Sequence, residues 1–290
     1  MKLVFVHGRD QQGKPSVGLR RLWEDSLDEG LSKAGLSRPA GVKVEFPYYG
    51  DELDRLVREL ATPLVSDVRA RGDSPDPAEA DFRGRLLSDL AAGAGISDDE
   101  IAAVYSGVGT EKGPLNWAWV QAILRALDRT PLGAASIDAF TRDVYVYLTN
   151  DHVAGTINRI VSAAIGNEPC VVVAYSLGSI VAYRLLRQVG AGANVRRFVT
   201  VGSPLGVAAI REHLLPPVLA RPDGVGRWFN AYDRRDVVAL RALDTATWDI
   251  TPPIENRGEV VNQTTNRHGI SGYLDDEMVA RWIAEGLAQQ

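Results

Sequence analysis

At 290 residues, 45% of them hydrophobic, the chain is long enough for a full core and reads as one large α/β domain over 1–290 carrying an insertion, rather than two equal halves. A net charge of −5 without any basic cluster argues against nucleic acid as a partner, and no stretch approaches the roughly 18 consecutive apolar residues of a membrane span. Cys170 is the only cysteine, which excludes an intrachain disulfide; with no Cys/His metal cluster in sight, a cytoplasmic location without metal is expected.

The opening residues, MKLVFVHG, carry too short an apolar run for a signal peptide and read as a buried strand over 2–6. The strand opens into His7-Gly8-Arg9-Asp10, and Gly8 to Lys14 spells G-R-D-Q-Q-G-K, the phosphate-loop pattern in all but its last position. That position is Pro15, which has neither a hydroxyl for Mg²⁺ nor an N–H for phosphate. A nucleotide site is therefore the minor reading, and Lys14 a solvated loop charge. Ser16 is placed to cap a helix over 17–34, with Leu19, Leu22, Trp23, Leu27 and Leu31 on one face. A second strand follows over 42–46.

No strong strand signal appears from Asp51 to Glu168. A helix over 51–71 interrupted near Pro63, a polar Pro/Asp loop over 71–80, and amphipathic segments over 82–90 and 115–127 are expected. Residues 70–136 read as a helical cap inserted over the carboxyl ends of the strands. Its apolar stripes, Trp117 and Trp119 included, either pack on the body or wall an acyl site. Helices over 137–148 and 152–165 lead on, and Tyr145 and Tyr147 read as structural before pocket-facing.

The sheet resumes with the continuous apolar run Val171, Val172, Val173 and Ala174, then Tyr175-Ser176-Leu177-Gly178, then helical spacing through Ile180, Val181 and Leu185. Strand, one serine, helix demands a tight turn with very small residues on either side, here Ala174 and Gly178. This stretch resembles the nucleophile elbow G-x-S-x-G of the α/β-hydrolase family, with Ala174 in place of the first glycine. The resemblance implies a mostly parallel α/β sheet flanked by helices and trimmed at the N-terminus, with Ser176 as nucleophile and Tyr175 beside the substrate. It implies an oxyanion hole from the amides of Gly8 or Arg9 and Leu177.

Downstream, strands are expected over 196–201, 227–232 and 257–263, with a flexible loop around Pro216-Pro217, Pro222 and Gly224 and a closing helix opened by Asp275 and Asp276. Ser203, followed by Pro204, makes a poor nucleophile. The family requires an acid after the 227–232 strand: Asp236 is favoured and Asp233 is the runner-up, the other acid pairing with Arg234 or Arg235. Of the four histidines, His268 alone lies between the last strand and the last helix, and the order Ser176, Asp236, His268 is that of the family. The expected activity is hydrolysis of a small-molecule or lipid-like carboxylic ester with no cofactor. Acyltransferase, thioesterase and amidase chemistries share such a triad, and an inactive binding or signalling module shares such a fold.

Overall fold

The computed structural model of the protein describes residues 1–67, 76–105, 112–113, 115–214 and 218–288. It is an α/β protein built on a six-stranded, all-parallel sheet. The strands are β1 (Lys2–Val6), β2 (Lys43–Glu45), β3 (Cys170–Tyr175), β4 (Val195–Val201), β5 (Val225–Ala231) and β6 (Glu255–Arg257), in the spatial order β2-β1-β3-β4-β5-β6. Strands β1 and β3 are buried on both faces, as the apolar runs Leu3 to Val6 and Val171 to Ala174 require; Lys2, at the start of β1, is buried with its Nζ donating to the Ile165 carbonyl.

Alternate residues of those strands feed two cores. Leu3, Phe5, Val171 and Val173 pack with Trp23, Leu27 and Leu31 of α1 (Ser16–Lys33) and with Trp282 and Ile283 of α11 (Glu277–Ala288). On the opposite face Val4, Val6, Val172 and Ala174 meet α2 (Gly50–Glu59), α6 (Ala134–Thr149), α7 (Asp151–Ile165) and α8 (Leu177–Val189). Each fully buried Val, Leu or Ile contributes about 1.5–3 kcal/mol, so both faces are strongly committed to their helices.

Between α2 and α6 lie α3 (Pro77–Gly93), α4 (Asp98–Ala103) and α5 (Trp117–Leu127). Their starts are set by side chains: Asp76 caps α3, Ser97 and Glu100 form a capping box on α4, and Asn116 caps α5. The three pack on one another, on α6 and on α9 (Ala208–Leu214), and share the core of that sheet face. Inside them the buried Arg83 guanidinium donates to Glu79, to the Pro63 carbonyl and to Asp138, which itself accepts the Val65 and Ser66 amides.

Several expectations need correction. Ser16 is the first residue inside α1, not its cap; Pro15 occupies the cap position and no side chain bonds there. Leu19 and Leu22 lie off the core face of α1, Leu22 being 48% exposed. The α2 helix ends at Glu59, close to the interruption expected near Pro63, but does not resume through residue 67. The last strand covers Glu255–Arg257 rather than 257–263. Just past Arg257 the chain runs against Tyr232: a Cβ on Gly258 would stand 2.4 Å from its hydroxyl. The expected loop at 71–75, the helix beyond 67 and the Pro216-Pro217 pair lie outside the described residues. No helix among the described residues is long and apolar enough to cross a membrane.

Candidate active site

The chain runs from β1 to β2 on one side and returns to β3 on the other, so the loops after β1 and β3 diverge at the carboxyl end of the sheet. A crevice opens at such a switch point. Ser176 stands there, between β3 and α8, at φ 53° and ψ −129°. A non-glycine residue at positive φ costs on the order of 1–3 kcal/mol and persists only where its surroundings impose it. They do: the Ser176 amide donates to the Val201 carbonyl of β4 at 3.2 Å, while the Ser176 carbonyl accepts both the amide and the hydroxyl of Ser179. Ser203 accepts the Leu205 amide and pairs with the Ser179 hydroxyl at 2.7 Å, which makes it a support beneath the turn.

Close approach explains the small residues. A Cβ on Gly178 would lie 2.4 Å from the carbonyl oxygens of Val6 and His7, and one on Gly8 would lie 2.9 Å from the Ser176 Cβ. The helix start and the β1 loop are therefore in backbone contact. His7 fixes that loop: its Nε2 accepts the Tyr49 amide at 3.0 Å and its Nδ1–H donates to the Gly8 carbonyl at 2.7 Å, while Tyr49 donates its hydroxyl to the His7 carbonyl. The ring is buried and stacked on Tyr49 at 3.9 Å, and burial lowers its pKa to about 4. The Arg9 side chain reaches Asp143 of α6 at 2.8 Å. Among the described residues, the amides of Gly8, Arg9 and Leu177 donate to no protein acceptor, the ordinary condition of a helix start and of a loop facing a cavity.

The loop after β5 and the loop before α10 (Ser271–Leu274) bring the remaining groups. His268 Nε2 lies 2.9 Å from Ser176 Oγ, and His268 Nδ1–H donates to Asp236 Oδ2 at 2.6 Å. All three side chains are buried, Asp236 completely. Asp236 Oδ1 accepts the Val238 amide at 3.0 Å, and Oδ2 also accepts the Tyr273 hydroxyl at 2.5 Å. His268 is held by its own carbonyl, which accepts the Tyr175 hydroxyl at 2.5 Å. Burial pushes the Tyr175 phenol well up, so it remains a donor.

Asp233 is turned elsewhere. Its carboxylate takes the Arg235 amide and guanidinium and the Asn262 amide, tying the β5 loop to the chain beyond β6. Burial acts to raise the Asp233 carboxyl, and these donors, Arg235 first, outweigh it and hold it below its ordinary value.

A cavity of about 390 Å³ opens over Ser176 and His268. Its apolar lining comes from Leu19, Leu22, Leu132, Phe140, Val238 and Ile270; Asp10, Gln11 and Lys14 of the β1 loop line it with polar atoms. Tyr175 and Arg9 belong to the lining, whereas Trp117 and Trp119 do not. Trp117 lies under the Arg83 guanidinium and Trp119 packs on Tyr105, both within the α3–α5 layer. Tyr147 bonds Asn158 and Tyr145 packs on Phe82, away from the cavity. The far end of the β1 loop is not arranged as a phosphate cradle, since the Gly13 amide is taken by Asp51 at 2.7 Å and the Lys14 ammonium donates to the Asp10 carbonyl at 2.5 Å. Among the described residues no group of three or more His, Cys, Asp or Glu side chains is placed to hold a metal ion.

Tyr273, Asn262, the His7–Tyr49 lock and the Leu132/Phe140 wall had no signal in the sequence, because each depends on which loops meet. No family model matches this chain, and neither a curated protein nor a solved structure gives a significant match.

Proposed function

We propose that the protein is a serine hydrolase that cleaves a carboxylic ester through an acyl-enzyme on Ser176, built on an α/β-hydrolase-like body. The observation that carries this reading is the continuous relay Ser176 Oγ, His268 Nε2, His268 Nδ1, Asp236 Oδ2, with links of 2.9 and 2.6 Å, on a strained serine between a strand and a helix.

In this mechanism His268 Nε2 removes the Ser176 proton as Oγ bonds to the ester carbonyl carbon. The resulting oxyanion is met by the unpaired amides of Leu177 and of Arg9 or Gly8, each such donor contributing about 3 kcal/mol. The imidazolium, stabilised by Asp236, then gives its proton to the departing alkoxide as the acyl C–O bond breaks. Water repeats the sequence on the acyl-enzyme, with His268 as base, and releases the acid. The buried His7, neutral at ordinary pH, holds the Gly8-Arg9 turn in place. The apolar lining around Leu132, Phe140 and Val238 suits an apolar acyl or alcohol portion.

Labelling with a fluorophosphonate, read by mass spectrometry, tests the proposal. An adduct on Ser176 of the wild type, absent from Ser176→Ala and lost or slowed on the order of 10³-fold or more in His268→Ala, is expected. Folded wild-type protein that takes up no label at Ser176 would refute it.

A further inference from the structure

Tyr273 takes no part in proton transfer, yet it is fully buried against the acid of the relay. Its hydroxyl donates to Asp236 Oδ2 at 2.5 Å, the same oxygen that accepts His268 Nδ1–H at 2.6 Å. The phenol oxygen in turn accepts the Asp233 amide at 3.3 Å, which aims its proton at Asp236. The ring has been given space: a Cβ on Gly202, at φ 55°, would lie 2.9 Å from Tyr273 Cε2. One residue before Tyr273, a Cβ on Gly272 would lie 2.3 Å from Asn262 Oδ1, so the α10 backbone is pressed onto the loop that Asp233 anchors.

We propose that Tyr273 is a positioning residue that tunes His268: by claiming part of the charge on Asp236 Oδ2, it weakens the carboxylate's hold on the imidazolium. A carboxylate oxygen shared between two donors offers each less than it would offer one alone, and a hydrogen bond to a charged group is among the stronger ones in a buried site. Asp236 is fully buried, so no water competes for the freed lone pair if the phenol is removed. Burial, and next the charge of Asp236, push the Tyr273 phenol far up; the proton stays on Tyr273 and the group acts only as a donor. Among the described residues, the other ionisable groups around the pair are Tyr175 from β3, with its ring 5.0 Å from His268, Asp233 with Arg235 on it, and Arg9, Asp10 and Lys14 from the β1 loop. None of them bonds Asp236; the Val238 amide takes Oδ1, and among the described residues Tyr273 is the side chain that shares Oδ2 with His268.

The inference rests on the hydrolase reading for its catalytic meaning, but its test reads His268 directly. NMR titration of the His268 ring in the free protein is compared between wild type and Tyr273→Phe, with the pH dependence of fluorophosphonate labelling in parallel. In Tyr273→Phe the ring is expected to titrate higher, by roughly half to one pH unit, and the acid limb of the labelling profile to move with it. Incorporating 3-fluorotyrosine at 273, a stronger donor of the same shape, is expected to move the titration the opposite way. A His268 titration unchanged in both folded variants, with only a loss of thermal stability, would reduce Tyr273 to a packing residue and overturn the inference. Shifts of the expected signs in a protein that takes no label would uphold the coupling while removing the hydrolase reading.

Discussion

Replacing Gly178 by alanine sets one methyl group against two backbone carbonyls. The new Cβ would lie 2.4 Å from the oxygens of both Val6 and His7, where ordinary contact needs about a further 1 Å. Neither oxygen sits on a flexible side chain, so the start of α8 must move away from the end of β1. Overpacking of this kind costs about 1–3 kcal/mol, and a backbone obstacle favours the upper end. The same displacement opens the space between the Leu177 amide and the Gly8-Arg9 turn, and a misplacement near 1 Å costs on the order of 10²-fold in rate. Urea denaturation should therefore show a lowered midpoint at unchanged slope, and the second-order rate of fluorophosphonate labelling should fall about 100-fold in the fraction that remains folded. A Gly178→Ala protein with wild-type midpoint and wild-type labelling rate would refute the claim that backbone contact between α8 and β1 sets the geometry of the site.

Asp236→Asn should lower ester turnover on the order of 10⁴-fold, because the amide favours the wrong imidazole tautomer. Asp233→Asn should lower the urea midpoint by loosening Arg235 and Asn262 while turnover changes less than about tenfold; comparable kinetic losses in both would defeat the division of labour between the two acids. His7 binds a proton in the unfolded chain near pH 6.5 but in the folded one only near 4, so its contribution to stability is complete above 6.5 and is lost as pH falls toward 4. That is about 2 kcal/mol by pH 5. Denaturation midpoints from pH 7 to 5 should drop more steeply in wild type than in His7→Gln, and parallel slopes would contradict the buried neutral ring. Phe140→Ala, which removes a nearly buried wall of the cavity, should shift preference among p-nitrophenyl esters toward longer acyl chains; an unaltered chain-length profile would place the acyl group elsewhere.

The unequal legibility of the chain has a physical basis. The strands at 2–6 and 171–174 could be read because a parallel strand buried on both faces carries a near-continuous apolar run, here Leu3 to Val6 and Val171 to Ala174, and Ser176 between strand and helix could be read as a turn because its neighbours had to be small. These are local demands, met by consecutive residues. The choice between Asp233 and Asp236 was not local: both follow the same strand, and what separates them is that Asn262, far along the chain, satisfies the first and leaves the second to His268. The apolar stripe of α1 divides for a related reason, Trp23, Leu27 and Leu31 meeting the core while Leu19 and Leu22 line the cavity, since helical spacing identifies a stripe but not whether a sheet or a cavity faces it. Trp117 and Trp119 show the converse, an aromatic stripe suited to a cavity wall that packs inside its own helical layer beside Arg83. Tyr273 is the extreme case. Nothing in S-G-Y-L separates it from any core tyrosine until Gly202, Asp233 and Asp236, contributed by two other loops, close around its ring and its hydroxyl. Groups that tune a site through another residue leave the weakest trace in sequence, because their partners are fixed only by the tertiary meeting of loops, and for the same reason conservative variants such as Tyr273→Phe probe them more sharply than any pattern can.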